Sequence, residues 1–175
     1  MENFKELIQR RRSMRKFTPE LLKDDDVALL MRAALMSPSS HRSCDWNFIL
    51  VDDKAKLQVI SECRQNGAAH AADAPLAIVV LGDPTVTDCW VENASIAALM
   101  IQLQAEDLGL GSCWIQIRGR MAPDGTPSGE VLRELLDIPE GPEVLCVVVV
   151  GHKGMERKPF NEEHLQWEKV HINKW

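Results

Sequence analysis

The sequence lacks the hallmarks of several common enzyme and binding classes. The 175-residue chain has no tyrosine, so no tyrosyl acid or base can act in it. Its five cysteines form no C-x-x-C pair and its five histidines are scattered, so no metal site or dithiol motif is expected. The motifs G-x-S-x-G, H-E-x-x-H and G-x-x-x-x-G-K-[ST] are absent as well. These absences favour a protein that holds a cofactor to carry the chemistry.

Long hydrophobic runs and an excess of positive charge are missing too. No stretch reaches the roughly 18 uninterrupted apolar residues of a membrane-spanning helix, and the N-terminus has no apolar secretory core. Twenty basic against twenty-six acidic residues give a net charge of −6, whereas a nucleic-acid binder needs a basic surface. Hydrophobic residues make up 45% and charged residues 26%, which is typical of a globular protein. We expect a soluble cytoplasmic protein, folded as a single domain over residues 1–175, that binds neither nucleic acid nor membrane.

Hydrophobic periodicity and capping signals predict a mixture of helices and strands. Thr18-Pro19-Glu20 is a typical helix start, because proline at the first helical position loses no hydrogen bond. The segment 91–108 has no glycine or proline and is apolar on nearly every face, which favours a helix at the centre of the domain. The pattern predicts five helices and four strands, and hence one α+β or α/β layered domain. The helices are expected over residues 4–11, 18–37, 54–64, 91–108 and 131–136, and the strands over 46–51, 77–81, 112–117 and 144–150.

A C-terminal tail from about residue 160 carries large apolar side chains in a polar context. Trp167 and Trp175 need a surface against which they can be buried. Another subunit is a natural candidate for that surface.

Three polar segments are candidates for ligand binding, and each has a structural alternative. Residues 11–16 suit a phosphate, because arginine presents planar paired donors to anionic oxygens, although cations late in a helix also oppose its negative end. The hydroxyls and arginine of residues 37–43 can donate to a polar ring or a phosphate, although many surface loops have this composition. The glycines of residues 109–114 allow close approach of the backbone to a ligand, or cap a helix.

Taken together and in order, these segments resemble the nitroreductase family of FMN-dependent oxidoreductases. Four motifs spread over nearly the whole chain carry the resemblance: RRRSMRKF, SPSSHRSCDWNFILV, ENASIAALMIQLQAEDLGLGSCWIQI and VVVVGHKGMERKPF. The resemblance implies an α+β sandwich, with a mostly antiparallel central sheet flanked by helices. It implies an intertwined homodimer with FMN at the subunit interface and a tail that embraces the partner. It also implies that hydride passes from NADH or NADPH to nitroaromatic, quinone or similar small-molecule acceptors by a ping-pong mechanism.

The resemblance also assigns FMN contacts to residues of this sequence, in five segments. They are Arg11, Arg12, Ser13 and Arg15 in the N-terminal motif; Pro38, Ser39, Ser40 and Arg42 in a loop contributed by the partner subunit; Asn66 beside the ring; Leu110, Gly111 and Ser112 in the turn at the reactive side of the ring; and Arg157 or Lys158 at the phosphate. No catalytic acid or base is assigned, because hydride moves to and from the flavin and needs no protein nucleophile.

The sequence departs from the family pattern in the loop near residue 42. Arg42 and residues 44–46 stand where similar sequences often have asparagine and Gln-Pro-Trp, and a guanidinium cannot copy the donor and acceptor of an amide. Trp90 and Glu92 are candidates for the nicotinamide site, or else a packed tryptophan and a solvated carboxylate. Two other functions share the fold: an FMN enzyme that fragments flavin or removes halogen, and a non-catalytic flavin sensor or carrier.

Overall fold

A four-stranded antiparallel sheet forms the centre of the protein. The computed structural model describes residues 3–175, and its strands are β1 (Asn47–Val51), β2 (Leu76–Gly82), β3 (Gly111–Gln116) and β4 (Glu143–Gly151). The strand order is β1-β2-β4-β3, and every neighbouring pair is antiparallel. The central strands β2 and β4 are buried almost throughout, which explains their continuous apolar sequence.

Helices cover both faces of this sheet. They are α1 (Phe4–Arg10), α2 (Asp24–Leu35), α3 (Lys54–Glu62), α4 (Trp90–Asp107) and α5 (Ser128–Leu136). On one face, Leu57 of α3 and Leu132 of α5 share a core with Val79. On the other, α2 and α4 cover the sheet, and Ile101 of α4 shares a core with Val148. The predicted α+β sandwich with a central antiparallel sheet is therefore confirmed.

The chain between α1 and α2 follows the sheet instead of forming the predicted helix. The Thr18 amide donates to the carbonyl of His152 at 3.0 Å, and Phe17 forms a bridge with Lys153. The helix start predicted at Thr18 is wrong, because these bonds hold the segment in an extended conformation. α2 begins at Asp24, where three consecutive aspartates stabilise the positive end of the helix dipole.

The central helix α4 ends in a tight glycine turn. Gly109 has a φ of +75°, which favours glycine, and its amide donates to the carbonyl of Glu106 at 3.0 Å. The Leu110 amide donates to the carbonyl of Ala105 at 2.8 Å. Gly109 thus caps the helix, as one of the two alternatives for this segment proposes. In the described part of the chain no helix, α4 included, has the length and hydrophobicity needed to cross a membrane.

The C-terminal tail lies exposed on the surface of the chain. It is held to α1 by two hydrogen bonds between Gln9 and Phe160, of 2.8 and 3.1 Å. Beyond that point Trp167 is 71% exposed and Trp175 is 100% exposed. Within one chain the apolar side chains of the tail therefore have no surface that buries them.

Candidate cofactor site

Two of the sequence segments predicted to bind a cofactor meet at the edge of the sheet. The Met14 amide donates to the carbonyl of Ser112 at 2.9 Å, and Ser13 forms a parallel bridge with the same residue. A Cβ at Gly111 would lie only 2.9 Å from the Cβ of Met14, so glycine is needed for this close approach. The segment 11–15 and the turn 110–112 are therefore adjacent in the structure.

The charges of three arginines act on the buried thiol of Cys113, the next residue of β3. Burial raises the pKa of this thiol, and three nearby positive charges act against the rise: those of Arg15, Arg11 and Arg157. The Ser13 side chain bonds to the same thiol and acts in the same direction as the arginines. Within residues 3–175, none of the three arginines forms an ion pair with a carboxylate. This uncompensated group of planar donors fits a phosphate.

Arg12 is held by a hydrogen bond to the backbone of the last cationic segment. Its guanidinium donates to the carbonyl of Lys158 at 2.8 Å, and so ties the N-terminal segment to the start of the tail. The charge of Arg157 acts on Cys113, and those of Arg12 and Lys158 are not among the charges that do. The choice between Arg157 and Lys158 as the late cation at the phosphate stays a prediction.

A buried carboxylate at the end of α4 joins the two segments that carry the arginines. Glu106 is only 5% exposed, and it accepts a hydrogen bond from Nζ of Lys153 at 2.9 Å. It also lies 3.9 Å from Nε of Arg10, the residue before Arg11. Lys153 precedes Arg157 by four positions. Glu106 thus anchors to one helix both the segment that contains Arg11 and the segment that contains Arg157.

The loop of residues 38–45 is held at the opposite end of α4. The buried Asn93 accepts a hydrogen bond from the Ser40 amide at 2.9 Å and donates to Asp45 at 2.6 Å and to Ser43 at 3.2 Å. Three residues of this loop that are not glycine have positive φ, Arg42 among them at 58°. Such conformations need support from their surroundings and are concentrated at functional sites.

The loop and the arginine cluster are far apart within one chain. Asn93 and Glu106 are separated by about 20 Å along α4, from its rise of about 1.5 Å per residue. Pro38, Ser39, Ser40 and Arg42 therefore do not join the arginine cluster of the same chain. That a second copy contributes them to the site stays a prediction of the family resemblance.

Asn66 lies in a separate small cavity, which it lines with Arg64 and Arg120. His70, which precedes β2, is 9% exposed, and its Nε2 has no hydrogen-bond partner among residues 3–175. Burial lowers the pKa of His70, and the charges of Arg15 and Arg64 lower it further.

The two candidates for a nicotinamide site lie at the start of α4. Trp90 packs against Gly82, where a Cβ would come within 2.9 Å of its ring, and Arg118 stacks over it at 5.5 Å. Glu92 is exposed. Trp90 is thus a packed tryptophan, as the structural alternative proposes, and Glu92 remains a prediction.

Sequence analysis missed the residues that position the site, although a signal was present. Asn93 and Glu106 are buried in α4, where every other buried residue apart from Gln102 is alanine or isoleucine. A polar side chain that is buried must be hydrogen-bonded or paired, so these positions mark the two places where α4 holds other segments.

The chain is similar over its full length to known proteins. The model of the nitroreductase family matches residues 8–81 and 53–152. A curated relative from Archaeoglobus fulgidus, provisionally named NADH dehydrogenase/NAD(P)H nitroreductase, is 33% identical over 100% of both chains. The structure of an FMN-dependent nitroreductase from Clostridium difficile R20291 is 42% identical, with a TM-score of 0.94 over 97% of this chain and 99% of that chain.

A relative with a different activity is more distant. The 5,6-dimethylbenzimidazole synthase of Rhodospirillum rubrum is 25% identical over 93% of this chain and 87% of its own. The family match covers most of the chain, and the first relative and the solved structure match it from end to end. The chain therefore belongs to the nitroreductase family.

Proposed function

We propose that this protein is an FMN-dependent oxidoreductase that takes hydride from NADH or NADPH and passes it to nitroaromatic, quinone or similar acceptors by a ping-pong mechanism. The observation that carries the proposal is the bridge between the segment 11–15 and the turn 110–112, next to Cys113, on which the charges of Arg11, Arg15 and Arg157 act. The 42% identical structure, an FMN-dependent nitroreductase, supports the cofactor, and the name of the Archaeoglobus relative supports the donor.

The residues of the cluster divide the binding of FMN between them. Arg11, Arg15 and Arg157 would hold the phosphate, since paired guanidinium donors match its oxygens, and Ser13 would add a hydroxyl donor. The backbone of Gly111 and Ser112 would lie beside the ring, where preorganised donors stabilise developing negative charge, while the Leu110 amide stays bonded to the carbonyl of Ala105. Bound FMN supplies the hydride chemistry itself. The protein then needs only to bind, orient and shield the ring, which agrees with the lack of a nucleophile motif.

A homodimer would complete the site. Apolar side chains are exposed on α2, on α4 and in the tail: Leu29, Leu35, Met36, Ile96, Leu99, Trp167, Val170, Ile172 and Trp175. Burial of such side chains is the main favourable contribution to protein association. In our proposal the partner buries these faces, receives the tail, and contributes Pro38, Ser39, Ser40 and Arg42 to the FMN bound by the first copy.

The phosphate assignment is tested by replacing Arg15 with alanine. Truncation of one partner of a desolvated charge pair costs on the order of 2–5 kcal/mol, so FMN affinity should fall by at least about tenfold. Riboflavin, which has no phosphate, should bind the variant and the wild type nearly equally. The measurement is a titration of apo-protein with both flavins at one ionic strength.

A matched control removes a neighbouring charge outside the cluster. Lys16 is exposed, and its charge is not among those acting on Cys113. Lys16→Ala should therefore leave FMN affinity within about twofold of wild type, the loss of an exposed charge being worth well under 1 kcal/mol. Equal losses for FMN and riboflavin in Arg15→Ala, or no loss for either, would contradict the assignment.

A second activity is favoured by the similarity to the 5,6-dimethylbenzimidazole synthase. In that case the protein would consume FMN instead of cycling it. Aerobic incubation with NADPH, followed by quantification of intact FMN, distinguishes this activity from the proposed one, because an oxidoreductase leaves all of the FMN intact.

A sensor or carrier would bind FMN without turnover. Its yellow complex would not be bleached under anaerobic conditions by NADH or NADPH.

A further inference from the structure

A polar cavity of about 300 Å³ lies at the surface of the chain and has no role in the proposed binding of FMN phosphate. One wall is the segment that follows α3 and the other is the turn that follows β3. The lining residues are Arg64, Gln65, Asn66, Gly119, Arg120 and Met121.

Hydrogen bonds hold both walls in place. The Gln65 amide donates across the cavity to the carbonyl of Met121 at 3.1 Å. The Arg64 guanidinium donates to the carbonyl of Gln116 at 3.0 Å, which fixes one end of its planar group. The backbone of Arg120 is bonded on both sides, through the turn it closes and through the start of α5. The cavity is therefore formed before any ligand enters it.

The lining carries two positive charges and no negative charge. Within residues 3–175, neither Arg64 nor Arg120 is in an ion pair, and the Asn66 amide hydrogen-bonds to no side chain or carbonyl. Two guanidinium groups and an amide are donors that suit a phosphate or carboxylate. Uncompensated positive charge of this kind attracts an anion into a cavity.

The position of the cavity connects it to the site of chemistry. The charges of Arg64 and Arg15 both lower the pKa of the buried imidazole of His70. Gln116, which holds Arg64, is three residues along β3 from Cys113, or about 10 Å at about 3.3 Å per residue. One cluster accounts for the phosphate of FMN, which leaves the second for another anion.

We propose that Arg64 and Arg120, with Asn66, form a second anion-binding subsite that takes a phosphate or carboxylate group of the molecule reacting with the flavin. This inference rests on the proposed oxidoreductase function. Two sources have the same chemistry: the 2′-phosphate that distinguishes NADPH from NADH, and an acid group on the acceptor.

The test measures binding to the FMN-loaded protein, so that it does not depend on turnover. Calorimetry compares adenosine 2′-phosphate with adenosine, and 4-nitrobenzoate with 4-nitrobenzamide. The variants are Arg64→Gln and Arg120→Gln. The control is Arg118→Gln, which removes a charge two positions away that stacks over Trp90 and does not line the cavity.

A charge-assisted hydrogen bond contributes enough that its loss weakens binding by about tenfold. We expect Arg64→Gln and Arg120→Gln each to weaken the binding of one anionic probe by about this factor. The affinity for the neutral probes, and the affinity of the control variant for every probe, should change less than twofold. If the variants bind adenosine 2′-phosphate more weakly, the anionic group belongs to the hydride donor. If they bind 4-nitrobenzoate more weakly, it belongs to the acceptor. The proposal is refuted if the binding of neither anion is weakened more than that of its neutral analogue, or if Arg118→Gln has the same effect. A failure of NADH and NADPH to reduce the protein would instead refute the proposed function, and leaves these binding differences measurable.

Discussion

Glu106 should control both the stability of the fold and its affinity for FMN. The substitution Glu106→Gln keeps the size of the side chain and an oxygen acceptor but removes the negative charge. Lys153 would then keep a neutral hydrogen bond at most, and Arg10 would lose its carboxylate neighbour at 3.9 Å. Both segments that carry the arginine cluster are anchored through this carboxylate. The substitution should therefore change the positions of the arginines without replacing any of them.

The magnitude follows from the burial of the three groups. Removing one partner of a fully buried ion pair costs about 3–5 kcal/mol. The side chains of Lys153 and Arg10 are 28% and 37% exposed, so water compensates part of the loss. A charge-assisted hydrogen bond contributes about 1.5–3 kcal/mol, and we expect a loss of about 2 kcal/mol in the free energy of unfolding.

Urea unfolding of the apo-protein measures this loss, and an FMN titration measures the effect on the cluster. The control Asp107→Asn removes an exposed carboxylate at the next position and should change stability by less than about 0.5 kcal/mol. We expect FMN affinity to fall several-fold in Glu106→Gln, and riboflavin affinity to change less. An unfolding free energy equal to that of the control, with unchanged FMN affinity, would refute the anchoring role of Glu106.

Three further predictions concern the loop, the buried histidine and the tail. Asn93→Leu should destabilise the protein by about 2–3 kcal/mol in urea, because three hydrogen bonds are lost and buried Asp45 loses its donor; an unchanged midpoint would contradict this. The pKa of His70 lies below the 6.5 of the unfolded chain, so the unfolded state takes up the proton first. The stability of apo-protein should be constant above about pH 6.5 and fall below it, and His70→Gln should flatten that fall; an equal slope in both proteins would exclude this cause. Truncation before Gln166 should lower dimer stability and FMN content in size-exclusion chromatography; a fully loaded dimer would argue against the role of the tail.

Local sequence signals predict the core elements well and the chain between them poorly. β4 and α4 are found within one residue of their predicted ends. β4 is a continuous apolar run that ends at glycine, and α4 is a long segment without glycine or proline that glycine ends. Thr18-Pro19-Glu20 is an equally good local signal for a helix start, but backbone bonds to residues distant in sequence hold it extended. A local sequence pattern contains no information on hydrogen bonds to residues that are distant in sequence.

The same distinction applies to the candidate site. The segments 11–15 and 110–112 were identified from their sequence, and the structure places them side by side. The sequence leaves open whether Arg157 or Lys158 meets the phosphate, because both are cations in the same motif. Only the fold shows that the Lys158 carbonyl accepts a hydrogen bond from Arg12 and that the charge of Arg157 acts on the thiol of Cys113.

Two of the three buried polar residues of α4 hold the loop of residues 38–45 and the arginine segments far apart within one chain. Glu106 fixes the arginine cluster at one end of the helix, and Asn93 fixes the loop of residues 38–45 at the other. Because α4 is rigid, no small motion brings groups about 20 Å apart along it together. A two-fold pair of chains with antiparallel α4 helices would place the loop end of one beside the arginine end of the other. The exposed Leu99 and Ile96 on α4 are the apolar contacts that such a pair would bury.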